Sequence, residues 1–337
     1  MILVTGGTGF LGAYLLRYLI QEGYTAIRAL KRKQSTMDLV ADIADKVEWV
    51  ESDVEDILGL EDAMRGVQKV YHVAAIVSYD SRDAERMFAV NVEGTANVVN
   101  AALQEGVQKM LHVSSTAALG KPKNGQLIDE QTAWEEDSYT TNYSRSKHFS
   151  EMQAWRGLEE GLDTVILNPS VILGSGFWDR GPAKIFKNAW NEFPFYPMGG
   201  TGFVDVRDVA RMAIQLMESD IVGERFLCVA ENCATATVMQ KISDALGKQP
   251  PHIKATPVLQ SIAWRVAYLQ SLFTNRRPLI TKEIARQSSK TTLYDHHKSK
   301  ERLGFIYTPI DSTIQATATQ LKVAALQNFQ PMCLPLN

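Results

Sequence analysis

The chain has 337 residues, 45% of them hydrophobic and 22% charged, with a net charge of −3 and three cysteines. This is the composition of an ordinary soluble protein with material for about two domains. It excludes a basic nucleic-acid surface, and Cys228, Cys233 and Cys333 have neither the CxxC spacing of a zinc site nor the pattern of a disulfide framework. A first strand beginning at residue 2 leaves no room for a signal peptide. The longest strand-like apolar run, 165–173, is broken by Asn168 and Pro169 and cannot span a bilayer. The expected compartment is the cytoplasm.

Ile2-Leu3-Val4 reads as a buried strand, and Leu11, Leu15, Tyr18 and Leu19 have the spacing of one helix face. Between them lies Thr5-Gly6-Gly7-Thr8-Gly9-Phe10-Leu11-Gly12. Gly7, Gly9 and Gly12 satisfy GxGxxG, while Gly6, Gly9 and Gly12 satisfy TGxxGxxG. In a strand–turn–helix context, such glycines let backbone N–H groups approach a pyrophosphate at the positive end of the helix. Gly23 fits the helix C-cap, and residues 26–30 form a second strand ending in Lys31-Arg32-Lys33. An NAD-selective protein carries an acid there for the ribose 2′-hydroxyl. A basic cluster suits a 2′-phosphate instead, or is a solvated charge run. Residues 47–50 give a third strand before Ser52-Asp53-Val54. Residues 70–73 give a fourth before Ala74-Ala75, whose small side chains let the backbone lie close to a cofactor.

A helix over 85–105 contains Asn91-Val92-Glu93-Gly94-Thr95 and is closed by Gly106. The fifth strand, 110–113, runs into Ser114-Ser115-Thr116. A loop with Pro122, Asn124 and Gly125 follows, then a helix over 141–160 carrying Tyr143 and Lys147, one turn apart on a single face. Residues 165–167 and 226–230 supply the sixth and seventh strands. The alternation predicts an α/β fold, a Rossmann doubly wound parallel sheet whose ligand sits beyond the carboxyl ends of the strands. The glycine turn, Ser114-Ser115 and Asn168-Pro169-Ser170 all follow strands, so they converge on that edge. Residues 174–202, with Phe177, Trp178, Trp190, Phe193, Phe195 and Tyr196, are expected in a substrate lid, and 204–218 in a helix. The amphipathic segment 257–273 fits a core or pocket helix, with a membrane-surface helix as the alternative. The expected division is a Rossmann domain, 1–173 with 203–230 returning to it, and a smaller α+β substrate-binding region from 174–202 and 231–337.

TGGTGFLG, Asp53-Val54, His72-Val73-Ala74-Ala75, Asn91 to Thr95, Ser114-Ser115, Tyr143-Ser144-Arg145-Ser146-Lys147 and Gly202 to Ala210 occur in this order. Together they resemble the extended short-chain dehydrogenase/reductase family. Arg28 to Arg32, Leu167 to Ser170 and the stretch from Tyr294-Asp295 to Phe305 resemble its dihydroflavonol-reductase-like branch of NADP-dependent carbonyl reductases. The resemblance implies Ser115, Tyr143 and Lys147 as catalytic residues, with Ser114 the competitor of Ser115. It implies cofactor contacts from Gly6, Gly9, Phe10, Leu11, Gly12, Lys31, Arg32, Asp53, Val54, Ala74, Ala75, Asn91, Tyr143, Lys147 and Pro169. Asp53 would meet the adenine, Asn91 would brace the active-site helix and Pro169 would border the nicotinamide; each also serves as a turn, capping or strand-ending residue.

A free tyrosine titrates near pH ~10. The Lys147 ammonium and a positive nicotinamide ring are expected to lower that value and make Tyr143 a proton relay. The reading is an NADP-dependent reductase, with NAD possible, acting on a small apolar ketone or aldehyde. A nucleotide-sugar epimerase or dehydratase with retained NAD and a silent NADP sensor or scaffold are the alternatives. His72 reads as a core histidine, and His296-His297 lack further ligands, so no metal is expected. A homodimer is implied through the helices of Asn91 and Tyr143, with Val99, Leu103, Phe149, Met152 and Trp155 as candidates for the seam.

Overall fold

The computed structural model describes residues 1–120, 126–274 and 281–336. The loop expected at Pro122, Asn124 and Gly125 lies outside the described residues. The first half alternates β1 (Ile2–Thr5), α1 (Phe10–Gln21), β2 (Ile27–Lys31), β3 (Glu48–Glu51), α2 (Ile57–Met64) and β4 (Lys69–His72). It continues with α3 (Ala84–Phe88), α4 (Gly94–Gln104), β5 (Lys109–Val113), α5 (Asn142–Glu159), β6 (Asp163–Pro169) and β7 (Val171–Leu173). The second half holds α6 (Lys184–Trp190), β8 (Phe195–Tyr196), β9 (Gly200–Asp205), α7 (Val206–Glu218), β10 (Glu224–Cys228) and β11 (Glu231–Ala234). Then come α8 (Thr235–Leu246), β12 (Ile253–Lys254), α9 (Pro257–Thr274), α10 (Lys282–Gln287), α11 (His297–Leu303) and α12 (Ile310–Leu326).

Seven strands form one parallel sheet in the order β10-β6-β5-β4-β1-β2-β3, the doubly wound arrangement expected. Leu3, Val4, Val70, Tyr71, Met110, Leu111, Val165 and Ile166 are fully buried, because a parallel sheet is covered by helices on both faces. Tyr14, Leu15 and Leu19 of α1 share one core with Val209, Met212 and Leu216 of α7. Leu60, Met64, Val98, Val99 and Ala102 cover the other face. Register aligns Thr5 with His72, His72 with His112 and Val113 with Leu167. The residues that follow these positions therefore leave the sheet along one edge.

Several element ends shift by one or two residues from the sequence reading, and three differences have a visible cause. The helix expected over 85–105 is continuous but widens into a π-helical turn at Ala89–Glu93, between α3 and α4 and around Asn91. The segment 204–218 begins as strand, because β9 pairs with β7 and β11 in a three-stranded sheet; α7 starts only where Asp205 accepts from the Arg207 N–H at 2.7 Å. The seventh strand runs two residues earlier than expected, since Glu224 and Arg225 pair with Val165 and Ile166.

Of the aromatics expected in a lid, Trp178 is buried in the main core, and Phe177 and Trp190 pack against it. Trp178 donates its indole N–H to the Gln330 carbonyl, and Ser175 donates to Met332. The Leu334 N–H in turn reaches the Tyr14 hydroxyl, so the C-terminal segment is fastened to α1.

Candidate active site

The glycine turn is built by close approach. Gly6 sits at φ +71°, where L side chains are strained, and a Cβ there would stand 2.9 Å from Ala74 backbone atoms. A Cβ at Gly12 would stand 2.2 Å from the Gly6 carbonyl oxygen. Gly9 is the N-cap of α1, so no side chain caps the helix and its first-turn N–H groups remain for an anion. Phe10 and the buried Leu11 open this helix, and the Phe10 ring lies against Gly174 and Gly176. Lys31 and the exposed Arg32 stand at the end of β2 and form no ion pair among the described residues. Asp53 faces Arg86 at 3.7 Å, and Val54 packs beneath Gly94 while its carbonyl accepts from Asn97. A bare turn and an uncapped helix fit the pyrophosphate of a dinucleotide.

Behind this turn, one directed hydrogen-bond chain joins three strands to two helices. The Thr5 hydroxyl accepts from the Val73 and Ala74 N–H groups, each at 3.1 Å, so its single proton points to His72 Nδ1 at 2.8 Å. His72 must then carry its proton on Nε2, which donates to Thr95 at 2.9 Å. Thr95 donates to the Asn91 carbonyl at 2.6 Å and therefore accepts from Ser150 at 2.9 Å. Ser150 in turn accepts from His112 Nε2 at 3.1 Å. The chain requires His72 to be neutral and His112 to carry a proton on Nε2. Burial, with the Lys147 charge second, does push His72 down to about 3 and His112 well below its ordinary value. The Asn91 side chain exchanges both hydrogen bonds with the Ile76 backbone and donates to Ser146, whose hydroxyl donates to the Tyr143 carbonyl. The π-helical turn thus aims Asn91 at Ser146 of α5 (Asn142–Glu159).

Helix α5 begins with a reciprocal capping box between Thr141 and Ser144 that fixes its first turn, where Tyr143 lies. The Ser115 side chain lies beside the Tyr143 hydroxyl, and the Tyr143 ring meets the edge of Tyr79 with centroids 5.6 Å apart. Ser114 donates to Glu151 at 2.7 Å, so of the paired serines only Ser115 faces the tyrosine. Buried Lys147 donates to the Val113 carbonyl at 2.9 Å, and burial pushes its ammonium down to about 8 against the opposing pull of Glu151.

The lowering expected of Tyr143 applies to a site that also holds the nicotinamide charge. In the chain by itself Tyr143 titrates above its ordinary value, because burial outweighs the lowering by the nearby Ser115 hydroxyl. The lysine's charge lowers His72 and His112.

The chain matches the model of the NAD dependent epimerase/dehydratase family over residues 2–228. The chain belongs to this family. It is 32% identical to a Synechocystis sp. protein bearing the name dihydroflavonol 4-reductase, over 94% of this chain and 92% of that one. It is also 32% identical to sterol demethylase protein B of Methylococcus capsulatus, over 91% and 93%. The crystal structure of gox2253 superimposes with a TM-score of 0.81 at 30% identity, covering 96% of this chain and 98% of that one. Cinnamoyl-CoA and anthocyanidin reductases of plants match at 24% to 28% identity. The protein is thus an enzyme of a family of NAD(P)-dependent oxidoreductases, epimerases and dehydratases.

Within this family member, the strand ends bring Gly6, Gly9, Gly12, Ala74, Ser115, Tyr143, Lys147 and Pro169 to one edge of the sheet. Pro169 ends β6, buried beside Cys228, and Ala75 is exposed beyond Ala74. Sequence reasoning missed Glu151, which also accepts from Asn168 at 2.9 Å and pairs with Arg225 at 2.9 Å. Its position four residues after Lys147, on the same helix face, was the available signal. Thr5 was read only as part of the turn, and Tyr79 carries no motif. His296 and His297 bond Val229 and Asp295, and no cluster of three or more metal-ligating side chains occurs among the described residues.

Proposed function

We propose that this protein is an NADPH-dependent reductase of a small, apolar ketone or aldehyde. The observation that carries the reading is the pairing of the Tyr143 hydroxyl with Ser115 in a buried site one helical turn from Lys147. Relatives named as reductases support the reaction class. The unpaired Arg32 and Lys31, at a position where an acid would select NAD, support the phosphorylated cofactor.

The residues divide the work as follows. Gly6, Gly9, Gly12 and the first turn of α1 hold the pyrophosphate, and Asp53 and Val54 lie at the adenine end. Ala74 and Pro169 would border the nicotinamide half, and Asn91 braces α5 through Ser146. When bound, the reduced nicotinamide supplies a hydride for the carbonyl carbon. Ser115 holds the carbonyl oxygen, and Tyr143 gives that oxygen its proton. The raised Tyr143 value suits this direction, because a phenol kept protonated at neutral pH is a donor, whereas alcohol oxidation needs the phenolate. Lys147, anchored on the Val113 carbonyl, would contact the nicotinamide ribose of a bound cofactor. Residues 174–202 and 231–337 form the substrate side of the cleft opposite 1–173 and 203–230.

The assembly proposed is a homodimer through α4 and α5. Phe149 and Met152 are exposed on α5, whereas Val99 is fully buried and belongs to the interior rather than the seam. A monomer mass by light scattering at micromolar concentration refutes this assembly. The catalytic reading is tested by following NADPH oxidation across aldehydes, ketones and nucleotide sugars. Turnover of an apolar carbonyl is the expected result. Bound NAD carried through purification with nucleotide-sugar turnover would make the protein an epimerase or dehydratase. Firm NADPH binding with no turnover would make it a cofactor sensor.

A further inference from the structure

Helix α9 is amphipathic in the reverse of the usual sense. Gln260 and Ser271 are buried, each 6% exposed, whereas Val258, Ile262, Val266 and Leu269 are 71%, 56%, 48% and 55% exposed. At 100° per residue, those four apolar side chains fall within an arc of about 80° on one face. The inward polar residues have partners: Gln260 donates to the Ala255 carbonyl and accepts from Ser289, and Ser271 donates to Tyr268. The outward apolar residues keep about half or more of their surface exposed. Ile284 of α10, the helix packed on α9, is also exposed, as is Tyr268 beside the strip.

Charge distinguishes what covers this face. Between Asp244 and Glu283 the sequence contains Lys248, Lys254, Arg265, Arg276, Arg277 and Lys282 and no acid, in a chain whose net charge is −3. Lys254, Arg265 and Lys282 are exposed and form no ion pair among the described residues. Two copies of this face brought together would oppose cations to cations. An apolar strip flanked by unpaired cations and aromatic residues matches a bilayer surface, where apolar side chains enter the acyl boundary and the cations meet anionic headgroups. No helix among the described residues is long and apolar enough to cross a membrane, so the contact is peripheral.

We propose that α9 docks this protein onto an anionic lipid bilayer, with Val258, Ile262, Val266 and Leu269 inserted and Lys254, Arg265 and Lys282 against the headgroups.

The test is co-sedimentation of the full chain with vesicles of phosphatidylcholine alone or mixed with phosphatidylglycerol. The wild type should sediment with the anionic vesicles, less as salt is raised. Val258→Asp/Ile262→Asp/Leu269→Asp and, separately, Lys254→Glu/Arg265→Glu/Lys282→Glu should each lower partitioning by at least about tenfold. All six positions are exposed, and thermal melts confirm folding; if the aspartate variant fails to fold, the charge-reversed variant decides alone. Wild-type protein that stays in the supernatant with both vesicles overturns the proposal, as do folded variants that sediment like the wild type. A wild-type oligomer that dissociates in the aspartate variant, without vesicle binding, overturns it in favour of a second copy of the chain.

Discussion

Two regions of this molecule reverse the usual placement of polar and apolar side chains, and they do so on opposite terms. Behind the glycine turn, Thr5, His72, Thr95, His112 and Ser150 are all buried, yet each has a hydrogen-bond partner within the chain. Along α9, the apolar side chains of Val258, Ile262, Val266 and Leu269 face outward and stay largely exposed. A buried polar group without a hydrogen bond costs about 1–3 kcal/mol, so the first inversion persists as a network in which every side chain has a partner, with His112 Nδ1 the one atom of it left without one. An exposed apolar side chain merely forgoes the stabilisation of burial, so the second is tolerated in the free protein and has its consequence on contact with a partner. The interior inversion fixes geometry for chemistry; the surface one offers a place to bind.

The sharpest test of the interior network is the group it positions. Tyr143→Phe keeps the ring against Tyr79 and removes the hydroxyl that meets Ser115. General acid catalysis is worth about 10²–10⁴-fold, so turnover of a carbonyl substrate should fall by at least the lower figure while NADPH binding is kept. Lys147→Met should lose turnover and also weaken NADPH, through the proposed ribose contact. A titration of NADPH fluorescence beside steady-state rates separates the two signatures, and unchanged turnover in Tyr143→Phe would end the proposed mechanism.

Next in size is the cofactor's far end, which lies outside the network. Arg32→Ala should remove a charged hydrogen bond of about 1.5–3 kcal/mol, or roughly ten- to a hundredfold in NADPH affinity, with NADH affinity unchanged. Equal losses for both cofactors would mean that Arg32 reads no 2′-phosphate.

These two regions were also unequally legible. The glycine turn, Ser115, Tyr143 and Lys147 follow strands directly, and in a parallel sheet that fact alone puts them on one edge. The π-helical turn at Asn91 was invisible, because a one-residue widening leaves the apolar spacing of the helix nearly unchanged. The proton order from Thr5 to His112 depends on contacts between residues up to 69 apart, which no local pattern encodes. The raised Tyr143 value escaped notice because four-residue spacing suggests proximity to Lys147, whereas the ammonium is drawn to the Val113 carbonyl. In α9 the periodicity showed that the helix is amphipathic but not which face is outward, since Gln260 and Ser271 find partners inward.

A pH titration probes the network through stability. The folded-state value of His72 is lowered to about 3 from 6.5, so the unfolded chain binds more protons between those limits. Stability therefore rises with pH through that window, is complete above about 6.5 and is lost as pH falls. From pH ~6.5 to 5 the loss from His72 is about 2 kcal/mol. His72→Gln keeps an amide donor but cannot titrate. Urea unfolding at pH 7 and 5 should show the wild type losing about 2 kcal/mol more than this variant over the same interval. Equal losses would mean that His72 is charged in the folded protein, and the proton order drawn from Thr5 would be wrong.

The smallest expected effect is the one that separates the two inversions most cleanly. Thr95→Val is nearly isosteric but strips an acceptor from His72 and Ser150 and a donor from the Asn91 carbonyl, leaving buried polar atoms unpaired. It should cost about 1–3 kcal/mol or more by urea unfolding. Ile262→Gln swaps an exposed apolar side chain for a polar one in the middle of α9, where no internal packing depends on it. Its effect on the free protein should lie within about ±0.5 kcal/mol. A loss of several kcal/mol at Ile262 would show that the side chain is packed inside the molecule or its oligomer, and the outward face of α9 would then be part of a core rather than a surface waiting for a bilayer.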